Sequence, residues 1–192
     1  MFELLRETLT KSVRLSDEEF AYFLTFLKEK TLQKKEFLLR AGEVCNHVAF
    51  IRQGCLRYYY VKNGVEHNGQ FFFEGSWLGE YYSFLSRKPA LQFIDALEDA
   101  QLWLLHHDHL HRLYREIPRF ESFGRAMAEN VVIGSQRRTA SFLFDSPEER
   151  YLNLLRERPK VMERIPLHHI ASYLGIKPES LSRIRKRMAD SR

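Results

Sequence analysis

Seven side chains near the C-terminus, Lys177, Glu179, Ser180, Ser182, Arg183, Lys186 and Arg187, bring cations, hydroxyls and one carboxylate together over a short stretch. Groups of this kind recognise rather than react. An Arg can bridge guanine O6 and N7 with two parallel hydrogen bonds, and a Glu can accept from cytosine N4. Lys and Arg also meet phosphates, which adds affinity without sequence information. Glu179, Ser180 and Arg183 therefore read as base-contacting, and Lys177, Lys186 and Arg187 as backbone-holding. Glu179, Ser182, Arg183 and Lys186 fall on one helical face, while Leu181, Ile184 and Met188 fall on the other.

The residues just ahead of this helix must position it. In "IASYLGIKPESLSRIRKRM" (170–188), Ala171 is small where a second helix would cross, and Gly175 can turn the chain at little steric cost. Ile170, Leu174, Ile176, Leu181 and Ile184 supply apolar contacts. Pro178 and Glu179 suit the first turn of the second helix. The pattern is that of a helix-turn-helix. The charge agrees: residues 150–192 hold eleven Lys and Arg against four Asp and Glu, although the whole chain carries only +5. A basic end of this kind suits a polyanion.

"HHDHLH" at 106–111 offers His106, His107, Asp108, His109 and His111 as metal ligands. Ligands so crowded rarely reach one tetrahedral ion, and Asp108 reads as the N-cap of "HLHRLYREI". No metal or cofactor is expected. Cys45 and Cys55 are too few for an iron–sulfur cluster or a four-thiolate site. An enzyme of the cupin type would need a spaced His and Glu set, and "EHNGQ" offers only His67. The chain is not expected to be an enzyme. The absence of a long apolar run and of a signal-like N-terminus suggests a cytoplasmic protein without a membrane partner.

"SDEEFAYFLTFLKEK" (16–30) opens with a capping box, Ser16 and Glu19, and continues an apolar face through Phe20, Phe23, Leu24 and Leu27. Between about 36 and 105, β-branched and aromatic runs alternate with turn signals. The Asn-Gly of "KNG" (62–64) predicts a type I′ hairpin. A jelly roll follows from such spacing. Alternation in "RYYYV" sends Tyr59 to one sheet face and Tyr58 and Tyr60 to the other. Helical period returns after Pro118, where Phe120, Phe123, Met127, Val131 and Gly134 form a narrow stripe suited to dimerisation. Ser146 and Pro147 start a new helix. The fold expected is α+β, with a jelly-roll sensor domain at 1–117, a dimerisation helix at 118–145 and a small all-α helix-turn-helix domain at 146–192.

The segments "IRQGCLRYYYVKNGVEHNGQFFFEGSWLGE" and "HIASYLGIKPESLSRIRKRM" give nearly the whole chain a resemblance to the cyclic-AMP receptor protein / FNR family of bacterial transcription regulators. The second segment is most similar to a branch abundant in Bacteroidetes. The resemblance implies a homodimer joined along the long helix, bound to a two-fold-symmetric site on double-stranded DNA and gated by a small-molecule effector or its absence. RNA polymerase is a further partner it suggests. The family's phosphate cassette has a Gly-Glu pair followed about ten residues later by Arg-Ser or Arg-Thr. Gly79-Glu80 survives, whereas Ala90-Leu91 stands where the arginine pair belongs, and Arg87 lies too early. Cyclic AMP is therefore not expected to bind, although another ligand could sit beside Gly79, Glu80 and Tyr81. Pro178 replaces the first arginine of the family's recognition pattern, which implies a different DNA sequence. The family's β wing is expected to be absent or to come from elsewhere, such as residues 160–166. The alternative reading is a small-molecule-binding β domain whose helical tail contacts a protein.

Overall fold

The computed structural model describes residues 2–190. Helices α1 (Glu3–Thr10) and α2 (Asp17–Leu24) come first. The Ser16 hydroxyl accepts from the Glu19 backbone N–H, and the Glu19 carboxylate accepts from the Ser16 N–H. That reciprocal cap fixes the start of α2 as expected. Its end differs, because residues 27–32 leave the helical pattern as β1 (Leu27–Leu32). Leu27 lies opposite Leu105 and Leu32 opposite Ala100. Pairing with another strand overrides a local preference that only a few tenths of a kcal/mol per residue support.

The remaining strands are β2 (Phe37–Leu39), β3 (His47–Gln53), β4 (Leu56–Lys62), β5 (Val65–Phe72), β6 (Trp77–Leu78), β7 (Phe93–Ala96) and β8 (Ala100–His106), with α3 (Tyr81–Ser86) between β6 and β7. They form two four-stranded sheets, in the orders β1-β8-β3-β6 and β2-β7-β4-β5. This is the antiparallel jelly-roll sandwich the sequence led us to expect. The β4–β5 turn has positive φ at both Asn63 (52°) and Gly64 (74°), the requirement of a type I′ turn. Phe50, Ile51, Leu102 and Leu105 fill the interior. Within it Arg57 donates to both carboxylate oxygens of Asp95, at 2.8 and 3.0 Å, and both residues are buried.

Helix α4 (His107–Glu116) follows β8, and a 3₁₀ turn (Pro118–Phe120) leads into α5 (Glu121–Phe144). The cap of α4 differs from expectation. His106 is the N-cap, its Nδ1 accepting from the Asp108 N–H at 3.1 Å, and Asp108 lies inside the first turn. Ser146 caps α6 (Pro147–Glu157) with the expected proline at its start and a second capping box to Glu149. Then come α7 (Pro159–Arg164), α8 (Leu167–Leu174) and α9 (Pro178–Asp190). The chain forms two compact units. One holds everything up to Arg57 together with Phe72–Ile133, and the other joins Tyr58–Phe71 to everything from Gly134 onward.

Candidate nucleic-acid interface

Helices α8 and α9 are joined by only three residues, Gly175 to Lys177. The Gly175 N–H donates to the Ser172 carbonyl and the Ile176 N–H to the Ala171 carbonyl, which closes the end of α8. Gly175 has a φ of +70°, and a Cβ there would lie 2.6 Å from Cε1 of Phe142. Both facts demand glycine. Ala171 is fully buried between its neighbours, and Ile170, Leu174, Leu181 and Ile184 are buried with it. Ile176 is half-buried.

This apolar seam leaves the opposite face of α9 to solvent. Lys177, Glu179, Ser182, Arg183, Lys186 and Arg187 are exposed, and Ser180 is half-buried. Two of these groups bond within the helix: Arg183 Nε donates to the Glu179 carbonyl and Ser182 Oγ to the Pro178 carbonyl. Arg187 pairs with Glu148 of α6 at 3.1 Å.

The β4–β5 hairpin belongs to the same unit and is tied to α8. Ser172 Oγ donates to the Glu66 carbonyl at 2.8 Å and accepts from the Asn68 N–H at 3.0 Å. The Arg138 guanidinium donates to the carbonyls of Asn68 and Tyr173 and lies over the Tyr173 ring. Arg158 donates to the Phe71 carbonyl and to the Gln70 side chain. Sequence reasoning missed all of these positioning residues. Their partners lie between 35 and 106 positions away along the chain, and no local pattern marks such pairs.

The segment at Gly79–Tyr81 is built differently. The Glu80 carboxylate is the N-cap of α3, accepting from the Ser83 N–H at 2.5 Å, and the residue is buried. Burial pushes the Glu80 carboxyl above the usual carboxylate range, partly opposed by that N–H. The same cause raises the Tyr81 phenol. Ala90 is buried, and its backbone is tied to Gly42 and Glu43. The nearest arginine along the chain, Arg87, is spent elsewhere: its guanidinium donates to the carbonyls of Cys45 and Phe84 and to the Asn46 side chain. No cation stands at position 90 or 91 for a cyclic phosphate.

Residues 29–116 match the family model of the cyclic nucleotide-binding domain. The match covers a little under half of the chain. Three solved structures share the fold over most of the chain. FixK2 from Bradyrhizobium japonicum is 17% identical, with 86% of this chain and 85% of that one covered at a TM-score of 0.75. The c-di-GMP responsive regulator CLP from Xanthomonas campestris is 15% identical, with 92% and 93% covered at 0.73. A Crp/Fnr-family regulator from Eubacterium rectale is 15% identical, with 92% and 85% covered at 0.72. The chain thus has the fold of Crp/Fnr-type transcription regulators. A search of curated proteins returns no match.

Other expected features land unevenly. Phe120, Phe123 and Met127 are buried inside their own unit, with Phe120 against Phe23 and Phe123 against Trp77. They are core residues of that unit. Val131 and Gly134 are exposed, as are Val132, Ile133, Leu143 and Phe144. Residues 159–164 are helical, so a β wing is not found there. The C-terminal residues 191 and 192 lie outside the described span. Of the aromatic run, Tyr59 is buried, Tyr58 half-buried and Tyr60 exposed. No helix among the described residues is long and apolar enough to cross a membrane.

Proposed function

We propose that this chain is a homodimeric, sequence-specific DNA-binding transcription regulator that does not answer to cyclic AMP. The observation that carries the reading is the outer face of α9. Its base-reading candidates, Glu179, Ser180 and Arg183, and its phosphate-meeting candidates, Lys186 and Arg187, stand on a helix whose other side is locked into the unit by Leu181 and Ile184, with Lys177 in the turn just ahead of it. An exposed helix anchored in this way across a tight turn suits insertion into a major groove as the second helix of a helix-turn-helix.

Dimerisation along α5 rests on Val131, Val132 and Ile133. Three successive apolar residues are exposed there, and exposed apolar surface on a helix is what a second copy could cover. Indifference to cyclic AMP rests on Glu80, turned inward as a helix cap, and on the apolar pair Ala90-Leu91. Selection of genomic fragments by the purified protein tests the reading. It should enrich a palindrome with half-sites about one helical turn apart. Weak binding that ignores sequence and responds little to salt would point instead to a protein partner for the helical end.

A further inference from the structure

The histidine-rich turn at the start of α4 has a geometry that the sequence does not reveal. His107 and His111 are four residues apart on one helix face. Their Nε2 atoms approach to 3.0 Å, with ring centroids 4.3 Å apart. His107 Nδ1 lies 3.0 Å from a carboxylate oxygen of Asp108. An ionised carboxylate only accepts, so His107 carries its proton on Nδ1 and points the lone pair of Nε2 at His111. The ring is held further by edge contact with Phe84.

Two imidazole nitrogens ligating one tetrahedral ion at ordinary bond lengths sit about 3.3 Å apart. The observed separation is within a few tenths of an ångström of that value. The carboxylate on the far nitrogen of His107 is the outer partner that metal-ligating histidines usually have. We propose that His107 and His111 form a binding site for a borderline transition-metal dication such as Zn²⁺, with Asp108 as the orienting carboxylate. Without metal, the His111 Nε2–H donates to His107 Nε2. Coordination moves that proton to His111 Nδ1, so no proton need be released when both rings start neutral. Among the described residues no third protein ligand converges on the pair. Water completes the shell, and the site is open to a further donor. His106 and His109 of the same run are turned elsewhere: His106 Nδ1 caps the helix, and His109 Nδ1 lies 3.4 Å from the Phe26 carbonyl.

The test is calorimetric titration of the untagged full chain with ZnCl₂, followed by removal with a chelator. One saturable equivalent per chain is expected. His111 is exposed, so His111→Ala should keep its fold and weaken zinc at least tenfold, and His107→Ala should do the same. Asp108→Ala should cost about tenfold through the lost outer partner. His67→Ala, in the exposed β4–β5 turn region, should leave affinity unchanged. Absence of saturable zinc binding in the wild type overturns the proposal, as does unchanged affinity in His111→Ala or Asp108→Ala. Either result would show the pair to be a hydrogen-bonded dyad alone.

Discussion

Residues 170–188 keep the helix-turn-helix pattern in their letters and residues 79–91 keep only a Gly-Glu pair, and the fold treats the two stretches in opposite ways. In α8 and α9 the small residue is at the crossing, the glycine takes the left-handed turn and the polar residues face water. In the Gly79-Glu80 segment the Glu80 carboxylate has turned inward to cap a six-residue helix, and Arg87 binds two carbonyls and the Asn46 side chain. Glu80 is buried and Arg87 is committed to carbonyls inside the chain, whereas Lys177, Glu179, Arg183 and Lys186 keep exposed side chains.

The largest expected effect would sharpen that contrast inside the jelly roll. Asp95→Ala removes the two hydrogen bonds that this carboxylate accepts from the buried Arg57 and should cost about 3–5 kcal/mol in denaturant unfolding. Its counterpart at the helical end, Glu148→Ala, removes an exposed pair with Arg187 and should cost about 0–1 kcal/mol. Arg183→Ala should weaken binding to the cognate DNA by about 1–3 kcal/mol in an anisotropy titration while sparing random DNA. Gly175→Ala forces a Cβ into the left-handed region and toward Phe142. It should lose about 1–2 kcal/mol of stability, read as a lower Tm.

Smaller effects test the other half of the comparison. Saturating cyclic AMP should leave Tm unmoved, whereas a ligand at one hundred times its Kd would add about 2.7 kcal/mol. A clear upward shift would break the contrast by restoring function to the Gly79 segment. The smallest effect concerns His47, whose imidazole is held below its usual range by burial first and then by His106, Lys28 and His109. The folded state therefore binds this proton less readily than the unfolded chain. Stability is full above the unfolded value of about 6.5 and falls as pH drops from there toward the lowered folded value. His47→Gln should flatten that part of a Tm-against-pH curve.

Local signals were legible where a few adjacent residues decide the structure. The capping box at Ser16, the helix start at Ser146 and Pro147, and the Asn63-Gly64 turn formed as read, because each is settled by groups within four positions. Strand β1 was not legible. "LKEKTL" has no strand alternation, and its pairing with β8 depends on residues more than sixty positions away. The cap of α4 misled for a related reason, since an imidazole took the role that the neighbouring Asp108 fits better by propensity. At the candidate interface the exposed face could be read from period alone. The ties from Arg138, Arg158 and Ser172 to the hairpin could not, because they join distant parts of the chain.

The central claim is base readout by α9. It is tested most directly by measuring the affinity of wild type and Arg183→Ala for the selected site and for random DNA across a salt series. The account predicts a steep salt dependence in both proteins, with loss confined to the selected site in the variant. Equal loss on selected and random DNA would contradict it and make Arg183 a phosphate contact.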